Sequence, residues 1–537
     1  MPTRAQDEPS GATAQHSPLE RENVAPPALS TGTHDKEGEA RRAVQHGMLR
    51  KLLLPWNLFT ALGLLFGVVF ITLIPPGYNP DEPHQFFRAL QIANGEVIGY
   101  PVDHDQFSDM VDRPAEKVGG EVPVSAALMI RESHVYPIKG RLGGLGRVGT
   151  IDWNRMFSIR TNAEVDGDGA IAVGLSNVEV YSPLVYAPTI MSYWIGKAFN
   201  LPIAVVFYMA RLFDLGVAVV ITRAAIRLLP RGKWVLSLLA MMPTTIIQSA
   251  AVSADAVTMS MAFLCISLTL RAALQPCAVS TKQWAWIAAA FALLGLAKPS
   301  YIVLLGLLVT IPVMNPRARN RHSLILWGIV AVVGAVFAIG WQRATSWVPP
   351  SFETIEQVHA QSAFVASHPL RFFKTLIYTF FTDWGDHRFF LQSFVGSASW
   401  NGCFLATLFT YSMWGALALS PLIRDENELR WHGTICQRRI YSIGMLTLFT
   451  ISCAILAFGL YIMWAPPESS VVTGLQGRYF VPIAPVFFLG LMPLKTRATD
   501  IQRWMRRAVI TIALACLVEM SIQVWVYEWT DLSILAG

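Results

Sequence analysis

Uncharged apolar segments recur along nearly the whole chain, and this recurrence constrains the fold more than any other feature. Of the 537 residues, 53% are hydrophobic and 15% are charged, whereas a soluble domain carries about 25% charged residues. Backbone N–H and C=O groups find no water partner in lipid, so a segment that crosses the bilayer must be helical. The sequence therefore predicts an all-α integral membrane protein, a polytopic bundle of about eleven (11–13) transmembrane helices within residues 51–530. The candidate segments are Trp56–Pro75, Ile203–Leu229, Trp234–Ala251, Ala256–Leu274, Trp284–Ala297, Tyr301–Met314, Leu324–Trp341, Cys403–Ile423, Tyr441–Trp464, Phe480–Leu494 and Ala508–Val526.

Basic residues concentrate in alternate connections between these segments. The positive-inside rule assigns such connections to the cytoplasm, which places the N-terminus in the cytoplasm and the C-terminal tail, 531–537, outside. The loops 76–182 and 344–400 are then extracytoplasmic. Topology explains the net charge of +6, so we infer membrane lipids and no nucleic acid as partners.

Composition also distinguishes two further regions. Residues 1–50 contain no Phe, Trp or Tyr and cannot bury a core, so we expect a disordered cytoplasmic tail. Leu184–Phe199 is apolar but rich in aromatic residues, and we interpret it as an interfacial helix on the outer face, with a further span as the alternative.

An acidic pair, Asp81 and Glu82, opens the long polar loop directly after the first apolar segment. Pro83 suits the first turn of a helix and Asn94-Gly95 its end, so both carboxylates lie at a helix N-terminus beside the membrane. The helix dipole favours ionised carboxylates at that position. We therefore predict Asp81 and Glu82 as catalytic residues, with a simple helix N-cap and a salt bridge as the alternative.

Other charged residues near the predicted outer ends of helices are candidates for substrate binding. His84 and Arg88 lie four residues apart on one face of the predicted helix. A charge at a helix break near the surface costs less than the ~2.5–3.5 kcal/mol of the bilayer centre, and arginine binds phosphate as a fork. The predicted substrate-binding residues are His84, Arg88, Asp255, Lys298, Arg478 and Tyr479. For Lys298, a snorkelling anchor is an equally open interpretation.

Two charged groups have structural interpretations. Arg211 and Asp214 are three residues apart in one span, which favours an ion pair between them. The cluster from Asp383 to Arg388 is interpreted as solvated loop, although it could bind a polar acceptor or hold a divalent metal with Asp81 and Glu82. No metal-binding spacing is present, so no cofactor is predicted with certainty.

Two glycine-containing strings are set aside. Gly144–Gly149 matches the dinucleotide fingerprint, but no strand precedes it and no helix follows. Asp166-Gly167-Asp168-Gly169 lacks the terminal Glu of a calcium loop and predicts a turn.

Several motifs together resemble an uncharacterised family of bacterial polytopic membrane proteins related to GT-C glycosyltransferases. They are Asn79-Pro80-Asp81-Glu82-Pro83-His84 with Arg88-Ala89 and Gly95, Tyr181-Ser182-Pro183 with Tyr186-Ala187-Pro188, Ser253-Ala254-Asp255, Ala297-Lys298-Pro299 and Gln476-Gly477-Arg478-Tyr479-Phe480-Val481-Pro482. The resemblance implies an inverting glycosyltransferase of the cytoplasmic membrane that takes a polyprenyl-phosphate sugar donor and a glycan or lipid acceptor. Asp81 or Glu82 would be the general base, and Lys298 and Arg478, with Arg88, would stabilise the departing phosphate.

Three other function classes remain open, and one of them is a non-catalytic scaffold, which should tolerate Asp81→Asn. A transporter of polysaccharides or lipid intermediates is disfavoured because no internal repeat or matched pair of broken helices is evident. An O-antigen-type polymerase or ligase would depend on outer-loop Arg and His more than on an acidic pair beside the first span.

Overall fold

A computed structural model describes residues 51–111, 117–136, 151–349, 355–381, 384–425, 428–429, 434–466, 468–492 and 499–530. The predicted tail 1–50, the glycine string 144–149 and the C-terminal tail 531–537 lie outside these residues, as do Asp383 and the side chains of 384–388. The chain from Leu54 onward forms one compact unit.

Helices make up most of the described chain and are numbered in chain order. The first part of the chain contains α1 (Pro55–Leu73), α2 (Glu82–Ala93), α3 (Gln106–Met110), α4 (Val124–Glu132), α5 (Trp153–Ser158), α6 (Ala187–Phe199), α7 (Ile203–Leu228), α8 (Lys233–Ala240), α9 (Pro243–Ser249) and α10 (Ala254–Leu274). The second part contains α11 (Thr281–Ala297), α12 (Thr310–Met314), α13 (Arg321–Ala344), α14 (Ile355–Ser367), α15 (Pro369–Phe381), α16 (Trp384–Val395), α17 (Thr407–Leu419), α18 (Ile435–Trp464), α19 (Ala484–Gly490) and α20 (Thr499–Trp529). Short 3₁₀ turns comprise Pro183–Tyr186, Pro299–Val309, Pro316–Ala318, Ser399–Asn401, Ser420–Leu422 and Gly477–Phe480.

Within the described residues, six helices are long and apolar enough to cross a membrane. They are α1, α7, α10, α13, α18 and α20, and each matches a segment predicted from the sequence. An all-helical membrane protein is therefore supported, whereas the count of about eleven spans is not confirmed.

Proline accounts for a break within one of the other predicted segments and for the start of another. Pro243 interrupts Trp234–Ala251 and Pro299 precedes Tyr301–Met314, and in both cases the residue before the proline is driven out of the helical region. Met242, for example, is extended at φ −60° and ψ 139°, and α8 and α9 lie on either side of it. Cys403–Ile423 and Phe480–Leu494 contain only the short helices α17 and α19. The fifth segment contains α11, whose 17 residues fall short of the usual span length.

The first large loop contains a small antiparallel sheet, which the all-helical prediction omitted. Its strands are β1 (Tyr100–Pro101), β2 (Val118–Pro123) and β3 (Ala170–Gly174), in the order β1-β2-β3. The register of β2 and β3 pairs Gly120 with Val173 and Val122 with Ile171. Asp166-Gly167 turns the chain between Val165 and Asp168, as the sequence predicted. A second pair, β4 (Ser397–Ala398) and β5 (Cys403–Phe404), follows α16.

Helix α6, which contains most of Leu184–Phe199, has 13 residues and is too short to span a bilayer alone. It runs antiparallel to the first turns of α7: Thr189 Oγ1 donates to Asp214 Oδ2 at 3.0 Å, and Gly196 lies against Val206. The interfacial position of α6 stays a prediction.

Tryptophan indoles fix several elements at one end of the bundle. Trp529 donates to the carbonyl of Leu73 at 2.8 Å, so α1 and α20 end on the same side of the bundle. Trp341 of α13 donates to the carbonyl of Val180, also at 2.8 Å. Trp400 donates to Gly77 O at 3.1 Å. An indole has a large apolar body with one N–H donor, which suits this use where apolar and polar surroundings meet.

Candidate functional site

Asp81 occupies a strained position at the start of α2. Its backbone lies in the left-handed region at φ 60° and ψ 3°, which non-glycine residues rarely adopt. Asn177 Nδ2 donates to its carboxylate at 3.5 Å, and Arg478 Nη2 lies 3.6 Å from Oδ2. The side chain is still 40% exposed. Strain of this kind is typical of functional sites, and here it presents an accessible carboxylate.

Arg478 joins Asp81 to two further predicted residues. Its Nη1 lies 3.8 Å from Asp255 Oδ2 and donates to Gln248 Oε1 at 3.3 Å. Asp255 Oδ1 in turn accepts from Lys298 Nζ at 3.3 Å. Asp81, Arg478, Asp255 and Lys298 therefore form one chain of alternating charges, which we call the charge chain. Among described atoms, the buried Nε of Arg478 has no hydrogen-bond partner.

Three tyrosines surround the ammonium group of Lys298. Its Nζ lies 5.2 Å from the ring centroid of Tyr479, 5.6 Å from that of Tyr181 and 5.9 Å from that of Tyr301. The Arg478 guanidinium also lies 5.3 Å from the Tyr479 ring. Ring faces attract cations at these distances, so the tyrosines hold a charge that is largely withdrawn from water.

Different local structures bring the charge chain together. Asp255 lies in the first turn of α10, which Ser253 caps by accepting from the Asp255 N–H at 3.1 Å. Lys298 is the extended residue that ends α11 before Pro299, which confirms the predicted helix break. Arg478 belongs to the 3₁₀ turn Gly477–Phe480, where Gly477 allows close approach because a Cβ would lie 2.2 Å from Phe394 N.

Glu82 has a different environment from Asp81, although the two are neighbours. It is 0% exposed, and its carboxylate accepts from Arg211 Nε at 2.8 Å and Nη2 at 2.6 Å. The backbone N–H of Val252 donates to it at 3.0 Å and that of Gly77 at 3.2 Å. Glu82 therefore ties the start of α2 to the segment immediately before Asp255.

The predicted ion pair between Arg211 and Asp214 is wrong. Besides binding Glu82, Arg211 donates to the carbonyls of Ile71, Ile74 and Pro75, which satisfies the open C-terminus of α1. Asp214 instead accepts from Thr189. Spacing along α7 suggested the pair, but a carboxylate from α2 with matching fork geometry lies closer.

Arg88 lies apart from the charge chain. It is fully buried and forms an ion pair with Glu179, Nη1 to Oε2, at 2.9 Å, and it donates to Val97 O at 2.7 Å. Burial raises the pKa of Glu179 to about 7, against the opposing effect of Arg88. This pair fastens α2 to the segment after β3.

His84 lies between the two regions. Its Nδ1 is 2.9 Å from Asn177 Oδ1, and Asn177 is the residue that donates to Asp81. The imidazole stacks on Tyr136 with centroids 6.4 Å apart. His84 is therefore separated from Asp81 by one amide side chain.

Sequence reasoning missed Asn177 and Gln248 as members of the site. Gln248 is a polar residue inside an apolar segment, a signal that could have identified it. Asn177 carries no comparable signal, because it lies in a polar loop. Among the described residues, no three His, Cys, Asp or Glu side chains gather as metal ligands, and a metal shared with Asp383 or Asp386 falls outside those residues.

Comparisons with known proteins give a family and no further relatives. No curated protein and no solved structure matches the chain. The model of one family, described as "Predicted membrane protein (DUF2142)", matches residues 64–487. This match extends from α1 to α19 and includes every residue of the charge chain, so the protein belongs to the DUF2142 family of membrane proteins.

Proposed function

We propose that this protein is a GT-C-like membrane glycosyltransferase of the cytoplasmic membrane. It would transfer a sugar from a polyprenyl-phosphate donor to a cell-envelope glycan or lipid on the outer face. The observation that carries the proposal is the charge chain, in which an accessible carboxylate, Asp81, lies 3.6 Å from Arg478, and Asp255 links Arg478 to a second cation with little exposure, Lys298.

The reaction needs a base and a site for the leaving phosphate. A carboxylate at the position of Asp81 can remove the proton from an acceptor hydroxyl as its oxygen attacks the anomeric carbon. The bond from that carbon to the phosphate oxygen then breaks, and the electron pair stays on the phosphate. Positioned cations stabilise such developing charge, and Lys298 and Arg478 are suited to it. Single displacement inverts the anomeric carbon.

The surroundings of the acidic pair favour Asp81 as the base over Glu82. Both oxygens of Glu82 are saturated by Arg211 and backbone N–H groups, and no part of the residue is exposed. Asp81 is accessible and holds only longer contacts, at 3.5 Å and 3.6 Å. We therefore assign proton transfer to Asp81 and a positioning role to Glu82.

Eleven crossings are part of the proposal. Helices α7 and α10 both begin at the end of the bundle where Glu82 lies, so α8 and α9 together would return the chain between them. Helices α11, α13, α18 and α20 all end on this side, as the contacts of Lys298, Trp341, Trp464 and Trp529 indicate. After α11, α13 and α18 the chain must cross back to the other side, and the segments that end in α12, α17 and α19 would do this. The five additional crossings are therefore these three segments, the α8–α9 pair and α11.

The test is mass spectrometry of envelope glycans and polyprenyl-linked lipids from a strain that lacks the gene. The strain is complemented with wild type, Asp81→Asn, or Asp103→Asn as a control in an exposed carboxylate of the same loop. We expect the deletion to lack one sugar, and Asp81→Asn at matched protein levels to leave it missing while Asp103→Asn restores it.

Two outcomes would contradict the proposal. If Asp81→Asn restores the wild-type profile, Asp81 is not the base. If the deletion instead accumulates a complete glycan on the carrier lipid, the protein transports or ligates the finished glycan and does not add the proposed sugar.

A further inference from the structure

Helix α15 presents an apolar face that no described residue covers. Leu370 is 82% exposed, Phe373 59% and Phe381 74%, and Ile377 completes the row. Their spacing of three and four residues places all four on one side of the helix. The opposite side, with Phe372, Leu376 and Phe380, packs on the protein. A soluble surface rarely exposes such a row, so the face has a partner.

The position of α15 on α18 indicates its depth. The Phe372 ring packs edge-to-face on Phe458 and tilted on Tyr461, with ring centroids 5.8 Å and 5.2 Å apart. At about 1.5 Å per residue, these two residues lie roughly 28–33 Å along α18 from Arg439. Arg439 is basic and marks the opposite boundary, and the hydrocarbon core is about 30 Å thick. Helix α15 therefore lies at the level where the hydrocarbon core meets the headgroups.

The charges of α15 fit this level. Arg371 forms an ion pair with Glu468, Nη1 to Oε2, at 3.1 Å, and it lies 5.0 Å from the ring of Phe364. Lys374 is exposed beside Phe373, and a long lysine stem can reach the headgroups from an apolar face. Phe, Leu and basic residues in this arrangement are typical of interfacial helices.

We propose that α15 is an interfacial helix whose row of Leu370, Phe373, Ile377 and Phe381 inserts into the lipid leaflet on the side of the charge chain. The occupant is bilayer lipid, because the row continues the largely uncovered apolar surface of α18. The inner side of α15 reaches the site: Phe380 lies 6.0 Å from Phe480, centroid to centroid, and Phe480 follows Arg478 by two residues. Helix α15 therefore contacts the segment that carries Arg478. The inference is independent of the proposed function.

The test uses a fluorescent label at single cysteines in nanodiscs. The exposed native cysteines are removed as Cys277→Ser and Cys436→Ser, and the other four are buried or lie within helices of the bundle. A bimane label is placed at Phe373→Cys or Ile377→Cys, and at Glu121→Cys, the exposed residue of β2, as the control. Quenching is measured with doxyl-labelled phosphatidylcholine in the bilayer and with iodide in the buffer.

We expect doxyl lipid to quench the two α15 labels, and iodide to quench them several-fold less than the Glu121→Cys label. Iodide quenching equal to the control would overturn the proposal, because the face would then be in water. Protection from both quenchers would also overturn it, since another protein surface would then cover the row. The substituted side chains are exposed, so folding is not at risk.

Discussion

Replacing Glu82 by Gln separates a structural role from a catalytic one at the acidic pair. The substitution preserves size but removes the charge that faces Arg211 at 2.6 Å and 2.8 Å. It also directs an amide N–H₂ toward donors, since Arg211 and the N–H groups of Val252 and Gly77 all donate to this carboxylate. Arg211 would remain fully buried with only carbonyl partners.

The expected cost follows from that geometry. Removing one partner of a buried ion pair destabilises a protein by about 3–5 kcal/mol, because the other charge is left uncompensated. At about 1.4 kcal/mol per tenfold change, the ratio of unfolded to folded protein rises at least about a hundredfold. Asp81→Asn should cost less than about 1 kcal/mol, because Asp81 is partly exposed and its contact with Arg478 is 3.6 Å long. Asn also tolerates the left-handed backbone at this position.

The assay is denaturant unfolding of the purified protein in detergent micelles, followed by circular dichroism. Glu82→Gln, Arg211→Gln and the double variant form a cycle with wild type. We expect the double variant to lose less stability than the sum of the single variants. The reasoning is refuted if Glu82→Gln unfolds like wild type, or if Asp81→Asn is as unstable as Glu82→Gln.

Three further predictions concern other parts of the site and its support. Burial raises the pKa of Glu179 from 4.5 to about 7, so the stability that this residue contributes is complete below about pH 4.5 and is lost as the pH rises to about 7. The unfolding temperature of the wild type should fall over that range, and Glu179→Gln should remove the fall. An unchanged pH profile in the variant would contradict the assignment. Gly477→Ala places a Cβ 2.2 Å from Phe394 N and should cost about 1–3 kcal/mol in the unfolding assay, whereas the control Gly340→Ala meets no atom within 4 Å and should be neutral. Lys298→Met should destabilise the protein by leaving Asp255 short of a cation, and adding Asp255→Asn should recover part of the loss; strictly additive effects would show that the two side chains are not coupled.

The helical plan of the chain could be predicted from the sequence to a large extent. Six predicted segments coincide with long apolar helices, because a run of uncharged apolar residues has one stable conformation in lipid. The helix start at Pro83, its end at Asn94 and the break at Lys298-Pro299 were also predictable, since proline and asparagine act through local backbone geometry. The small sheet of the first loop was missed because β1 has only two residues and because β3 pairs with β2 across a long sequence separation.

The sequence by itself determined that Asp81, Asp255, Lys298 and Arg478 lie near helix ends, because a charge within a long apolar segment is costly and a helix end offers it a polar environment. Only the tertiary structure decided which charges meet. Arg211 binds Glu82 of α2 and not Asp214, which lies three residues away on its own helix. Arg88 forms its ion pair with Glu179 and is not part of the charge chain. Ion pairing depends on distances of a few ångströms between side chains far apart in sequence. Neighbouring carboxylates at 81 and 82 look equivalent in the sequence, and packing alone makes one buried and saturated and the other accessible.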